Sequence, residues 1–297
     1  MTAEISTIIV NYNAGELLRS CVESLLHCQL EIEIIIVDNA STDGSLDALQ
    51  ELTSVQIIKN PTNVGFAKAC NIGYRAASAP FLLFLNPDCS FEPGGLANLL
   101  FVMRSDHSIG ISAGLLSNLD GTEQAGGRRA IPTPWRSFVR AFGLSRFSDR
   151  WPRLFFDFHL HKQPLPGRPI ELEATSGACM LIRREAMQDV GEWDEGYFLH
   201  CEDLDLCMRF RQKGWKILFV PDAKIIHDQG TCSRTRPIFV EWHKHKGMMR
   251  FYRKFFRHQY PGLLWPLVVI GIWLRFVLVA GYHGAYQVAR AVGVKCD

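Results

Sequence analysis

At 297 residues, 47% apolar and 21% charged, the chain suits one large domain with an appendage, and its apolar content excludes global disorder. A net charge of +2 names no partner by bulk electrostatics, so local charge patterning has to carry that argument. Nine cysteines without a CxxC pair, together with an N-terminus (MTAEISTIIVNYN) that enters a strand without a signal-peptide pattern, read as reduced thiols in a cytoplasmic setting.

The first 115 residues alternate strand and helix patterns. STIIVNYN is a β-branched strand, and GELLRSCVESLLHC repeats Leu17, Leu18, Cys21, Leu25 and Cys28 near the helical period. EIEIIIVDNA is a second buried strand. STDGSLDALQEL predicts a helix with Ser41 or Thr42 as N-cap. VQIIKN is a third strand, VGFAKACNIGYRAA a helix, and PFLLFLNPD a fourth strand. Strands separated by helices of this length predict βαβ units in an α/β fold with a mostly parallel sheet flanked by helices. Unbroken apolar runs fit strands buried on both faces. Ligands of such sheets bind outside the carboxyl ends of the strands. Asn11-Tyr12-Asn13, Asp38-Asn39 and Asn86-Pro87-Asp88 all fall there, which predicts one polar rim.

Residues 126–170 carry nine Arg/Lys against Asp149 and Asp157, interleaved with eight Phe/Trp. This insertion reads either as an amphipathic segment with a solvated basic face or as a surface for anionic lipid or a phosphate-bearing acceptor. No nucleic-acid motif accompanies it, so nucleic acid is not an expected partner. Beyond Glu171, a short helix is predicted from about Glu202 to just before Gly214, with Asp205 serving only as helix N-terminal charge. KILFVPDAKII is a strand that leads to His227. Residues 234–258 hold eight Arg/Lys against one Glu and run into about 20 largely apolar residues interrupted by Pro266 and Arg275. Basic residues leading into such a segment favour a helical, interfacial membrane tail over residues 236–297, with a packed helix pair as the alternative.

The chemistry narrows by elimination. No GxGxxG or P-loop is present, which removes hydride transfer and P-loop phosphoryl chemistry. The lone G-x-S-x-G string, Gly110 to Gly114, sits inside an apolar run rather than at a strand-to-helix elbow, so serine hydrolysis is not expected. A nucleotidyltransferase lacks its Gly-rich basic loop here. What remains is a rim of carboxylates and amides. Asp88 is suited to a hard divalent cation or, more simply, to a turn. Glu202-Asp203 suits a general base or a helix start. His227 suits a metal or phosphate contact or a structural role.

STIIVNYN, IIVDNASTDGS, NPTNVGFAKACNIG, FLLFLNPD, TSGACMLIRREA, GYFLHCEDLDLCMR and HDQGTCSR occur in order. Together, over residues 5–235, they resemble an inverting glycosyltransferase of family 2 with the GT-A (Rossmann-like) fold, in its rhamnosyltransferase branch. The resemblance implies a GT-A domain over 1–235. It places Asp38 on the pyrimidine base, with backbone around Val10, Asn11 and Tyr12 beside it. Asn39, Asn60, Asn63 and Gly65 would shape the nucleotide pocket, and Asn71 would reach sugar or phosphate. Asn86 and Asp88 stand at the DXD-type motif, of which only the last Asp is kept. Asp88 and His227 would hold Mg²⁺ or Mn²⁺. Asp203 would be the catalytic base and Glu202 its support. The implied donor is dTDP-L-rhamnose, with a UDP-sugar as the alternative, and the implied acceptor a polyprenyl-diphosphate-linked saccharide. The implied setting is the cytoplasmic membrane face, in O-antigen or other surface-polysaccharide assembly. A non-catalytic nucleotide-sugar-binding membrane protein is the remaining rival.

Overall fold

A computed structural model of the chain describes residues 3–49, 52, 54–228 and 236–291. The first half runs β1 (Ile5–Asn11), α1 (Glu16–Leu26), β2 (Ile32–Asp38), β3 (Val55–Lys59), α2 (Phe66–Ala76) and β4 (Phe81–Leu85). All of these were legible from periodicity. The helix expected within STDGSLDALQEL is instead a single 3₁₀ turn at Asp47–Leu49. The hydroxyl oxygens of Ser41 and Ser45 accept from the Asn11 amide rather than from a helix start, and Gln50 and Glu51 lie outside the described residues.

Next come β5 (Cys89–Phe91), α3 (Gly95–Ser105), β6 (Ile109–Ser117), β7 (Arg128–Arg129) and α4 (Pro134–Ala141). They are followed by β8 (Ile170–Glu171), β9 (Ala174–Thr175), β10 (Cys179–Arg183), α5 (Arg184–Val190), α6 (Glu202–Gln212) and β11 (Lys216–His227). Nine strands form one sheet in the order β3-β2-β1-β4-β10-β6-β11-β5, with β8 added on β11, while β7 and β9 form a separate ribbon. The run β3-β2-β1-β4 is parallel, as the βαβ alternation predicts. Beyond it the sheet is mixed, because β10 runs antiparallel between β4 and β6. That reversal brings the start of β10 to the rim where β1, β2 and β4 end.

Two cores sandwich the sheet. Ile5, Ile9, Ile34, Ile36, Leu83 and Leu85 pack with α1 and α3, while Ile8, Val10, Ile35, Val37, Leu82 and Phe84 pack with α2, α6 and α7. Consecutive residues of one strand therefore enter opposite cores, which is why these strands read as unbroken apolar runs. Each such side chain stabilises the fold by roughly 2 kcal/mol.

The tail is a helical hairpin of α7 (Pro237–Phe255) and α8 (Leu264–Ala291). Leu264–Gln287 is the one helical stretch, among the described residues, long and apolar enough to cross a membrane, and little of it is buried. Arg275 is not left facing lipid: it meets His245 at 2.7 Å and Glu241 at 3.8 Å on α7. Leu267, Ile270, Leu274, Leu278 and Tyr282 are exposed along α8 at spacings of three and four, which makes one apolar stripe. One face of α8 is thus docked on the protein and the other is bare. A bare apolar face on a helix of this length is compatible with membrane anchoring.

Candidate active site

The rim starts with an amide network. In-register pairing of β1 with β2 sets Asn11 beside Asp38. Asn11 is fully buried, and its amide donates to Asp38 Oδ1 (2.8 Å), Ser45 Oγ (2.8 Å) and Ser41 Oγ (3.1 Å). Its side chain is a latch that fixes Asp38, so only its backbone is placed to border a ligand. Asp38 Oδ2 also accepts the Ser41 N–H at 3.1 Å, and Ala40 closes the turn in the left-handed region (φ 63°). Asn60 Nδ2 donates to Asn39 Oδ1 (2.9 Å), Asn39 Nδ2 to the Gly65 carbonyl (3.3 Å), and Gly65 N–H to Asn63 Oδ1 (2.9 Å). Four of the expected pocket residues therefore form one connected set.

Gly65 (φ 87°) also joins the two halves of the site. A Cβ there would lie 2.8 Å from the Phe198 carbonyl, and Phe66 N–H donates to that same oxygen at 2.8 Å. A side chain at position 65 would push apart the nucleotide-side loop and the loop that leads to Asp203.

The second cluster stands where β4 ends and β5 begins, opposite the end of β11. Cys89 pairs with His227, and Asp88, Cys89 and His227 place ligand atoms within 4.8 Å of one another. The protonation of His227 follows from Gln124. Gln124 Nε2 donates to the His227 carbonyl (2.6 Å), so its Oε1, 2.8 Å from Nδ1, must be an acceptor. Nδ1 therefore carries the hydrogen, and the Nε2 lone pair faces Asp88 Oδ1 at 3.2 Å. Among the described residues Asp88 Oδ1 has no hydrogen-bond donor. A buried carboxylate oxygen and an imidazole nitrogen facing each other in this way fit a divalent ion. Cys89 fits less well: its thiol donates to the Ala178 carbonyl (3.5 Å), and burial raises its pKa well above the usual value.

The third element is the start of α6. His200 and Cys201 both adopt left-handed backbone (φ 68° and 71°) immediately before Glu202 and Asp203. Non-glycine residues held so cost of order 1 kcal/mol each, and such strain gathers at functional sites. Asp203 Oδ2 accepts from Arg129 and from the Gly177 N–H (3.2 Å), and Oδ1 accepts from the Leu204 N–H (2.7 Å). A carboxylate offers about four acceptor positions, so a further hydroxyl can still be received. Glu202 turns inward and is nearly buried, with Oε2 lacking a partner. Burial, then the Asp203 charge, push its carboxyl up to about 8.

The segment 177–178 ties the clusters together. Gly177 N–H holds Asp203, while the Ala178 carbonyl accepts from Asn86 N–H (2.8 Å) and the Cys89 thiol. Asp203 and Asp88 are thus anchored through adjacent residues.

Two expectations need correcting. Asn71 does not face a ligand: it is buried, and its amide bonds the Trp193 carbonyl (2.9 Å), Trp193 N–H (3.0 Å) and Glu195 Oε1 (3.0 Å). Both amide hydrogens and the carbonyl oxygen are engaged in pinning α2 to the loop 193–195. Asp205 is more than helix-terminal charge: it is fully buried and accepts from Tyr197 OH (3.1 Å), Arg209 (2.7 Å) and Lys254 (2.6 Å). It clamps α7 to α6. The insertion is likewise not all solvated face. Arg128 is buried in an ion pair with Glu123, and Arg129 reaches Asp203. Arg129 and Gln124 were not singled out from sequence, since their partners lie 74 and 103 residues away. Of the HDQGTCSR motif, residues 229–234 lie outside the described residues.

Comparison with known proteins completes the site. The model of glycosyl transferase family 2 matches residues 6–191, and that of glycosyl transferase family group 2 matches residues 125–289. The chain is 29% identical over 250 residues to an N-acetylglucosaminyl-diphospho-decaprenol L-rhamnosyltransferase of Mycobacterium tuberculosis, covering 80% of each chain. It is 26% identical over 237 residues to the rhamnosyltransferase WbbL of Escherichia coli, covering 74% of this chain and 81% of that one. In three dimensions it is similar to the mannosyltransferase PcManGT of Pyrobaculum calidifontis, solved with GDP-Man and Mn²⁺. That match has a TM-score of 0.57 and 16% identity, covering 99% of this chain and 76% of that one.

Proposed function

The chain belongs to glycosyl transferase family 2, and on that premise we propose that it transfers L-rhamnose from dTDP-L-rhamnose, with inversion, to a sugar hydroxyl of a polyprenyl-diphosphate-linked saccharide. The observation that carries this reading is the anchoring of Asp203 and Asp88 through Gly177 and Ala178, which sets a candidate base beside a candidate diphosphate site. The rhamnosyl donor and lipid-linked acceptor are supported by the relatives' names. We set the reaction in surface-polysaccharide assembly, for example of O-antigen, on the cytoplasmic membrane face; the apolar α8 supports the membrane part of this reading.

In this reading Asp38 and the Asn39–Asn60–Asn63–Gly65 network, with backbone from Val10 to Tyr12, receive the nucleotide. The network is held by its own hydrogen bonds, so the pocket is preformed and little ordering is needed on binding. Asn86 borders the diphosphate, and Pro87 restrains the turn that presents Asp88. Asp88 and His227 would hold Mg²⁺ or Mn²⁺, which when bound would supply positive charge to the leaving diphosphate. Gln124 keeps the His227 lone pair turned toward that position. Asp203 removes the acceptor hydroxyl proton as the oxygen attacks the anomeric carbon. Arg129 and Gly177 fix the orientation of its carboxylate, and Glu202 braces the turn from behind.

Detergent-solubilised protein with Mn²⁺, labelled dTDP-rhamnose and a polyprenyl-diphospho-N-acetylglucosamine acceptor should yield a labelled lipid product. A product formed only from UDP-glucose, UDP-galactose or UDP-N-acetylglucosamine would replace the donor assignment. Tight donor binding with no transfer to any lipid-linked saccharide would favour a non-catalytic scaffold.

A further inference from the structure

A cavity of about 190 Å³ opens between α7, α8 and the loop around Gly196, away from the residues assigned to transfer. Lys246, Met249, Arg250 and Arg253 line it from α7 at spacings of three and four, so they share one helix face. Trp273 of α8 closes the other side. Gly196 makes room: a Cβ there would sit 2.1 Å from the Arg250 guanidinium carbon. Arg250 is oriented by three hydrogen bonds to Asp194 (2.8, 3.1 and 3.2 Å) and lies 5.4 Å over the Tyr197 ring.

The charges do not cancel. Asp194 is the carboxylate beside the cavity, and it is already shared between Arg250 and Lys254. Against the upward push of burial, those two cations hold its carboxyl down to about 2. Among the described residues Lys246 and Arg253 have no carboxylate partner, although both border the same space and both are exposed. Lys244, on another face of α7, is by contrast paired with Glu241. Surplus positive charge is therefore concentrated where α7 meets α8.

An indole on an apolar, bilayer-compatible helix beside unpaired cations describes a place with a hydrocarbon side and an anionic side. The volume holds about six waters, enough for a phosphate with its ester oxygens. We propose that this cavity holds the phosphate of a membrane lipid, with the lipid chain running along the exposed stripe of α8. Lys246 and Arg253 supply the charge, Arg250 the fixed guanidinium, and Trp273 the apolar wall. The chemistry is shared by an anionic phospholipid headgroup and by the diphosphate of a polyprenyl carrier. The proposal rests on the membrane reading of α8 and not on the transfer reaction.

The test is vesicle flotation without any donor, read as the ratio of binding to anionic over phosphatidylcholine vesicles. One anionic set contains one-fifth phosphatidylglycerol; the other carries polyprenyl diphosphate at equal charge. Each cation at such a surface contributes about a fivefold factor, so Lys246→Gln/Arg253→Gln should lower the ratio roughly 25-fold. Removing two cations from the opposite layer (Arg104→Gln/Lys224→Gln) should leave it within twofold. Met249→Trp, which fills the cavity and keeps every charge, should also lower it several-fold. The larger ratio of the two anionic sets identifies the lipid source. A Met249→Trp protein with the full anionic preference would mean a diffuse charged patch and overturn the site. Wild-type protein that floats with no vesicle would overturn the site and the membrane reading together, leaving the transfer assay to judge the proposed function alone.

Discussion

The two halves of the site are built differently. The donor half, from Asn11 to Gly65, is held by neutral amides and hydroxyls bonded to one another across adjacent strand ends. The acceptor half, around Asp203, is held by ion pairs and a left-handed turn, with Arg129 and Lys254 reaching in from elements distant in sequence and Arg209 from the next turn of α6. Under the proposed function, the first arrangement is a preformed nucleotide pocket. The second would place charged groups where the acceptor proton moves, and its supports extend into α7 of the tail.

That contrast can be broken most sharply at Asp203. Asp203→Asn should lower transfer about 10³-fold, the scale of a lost general base, while donor affinity stays within twofold by calorimetry. A parallel loss of donor affinity would mean that the halves are not separable. Asp205 tests whether the acceptor half depends on buried charge. Asp205→Ala leaves Arg209 without its buried carboxylate and Lys254 with Asp194 alone, and should cost about 3 kcal/mol, or about 6 °C in Tm. Loss of under 1 kcal/mol in a denaturant titration would remove its role as the clamp between α6 and α7.

Gln124 tests the metal-side orientation. Gln124→Leu should weaken Mn²⁺ binding 10- to 100-fold, measured by Mn²⁺ titration, because His227 loses the partner that fixes its tautomer. Unchanged affinity would make Gln124 a packing residue. The smallest effect is a pH slope. Glu202 holds its proton in the fold up to about 8, whereas an unfolded Glu releases it near 4.3. The native chain therefore binds the extra proton between those values, and stability falls as pH rises through that window. Glu202→Gln should match wild type near pH 4 and exceed it in Tm by about 5 °C at pH 8. Parallel Tm curves for the two proteins would show that Glu202 is ionised in the fold.

The same contrast explains what the sequence made legible. Donor-half residues fall at the ends of apolar runs whose pairing is local and in register, so Asp38 and Asn39 could be placed on the rim by counting along strands, whereas Asn60 came only from the family resemblance. Asp88 and His227 were placed by the same logic, from opposite ends of the chain. Asn71 was misread because its position on α2 says nothing about the loop at Trp193, which takes up its amide. Asp205 was misread because early helical carboxylates usually face solvent, although its i,i+4 spacing to Arg209 was visible. Arg129 looked like one cation in a basic insertion. Only the β7–β9 ribbon, two residues long in each strand, carries it to Asp203, and no periodicity marks so short an element.

The most direct test is a calorimetric titration of dTDP-rhamnose into the detergent-solubilised chain, with Mn²⁺ and then with chelator. The account predicts saturable binding with Mn²⁺ that chelation, or Asp88→Asn, weakens at least tenfold. Binding of equal strength with chelator present would contradict the assignment of Asp88 and His227, and with it the account of how the donor is held.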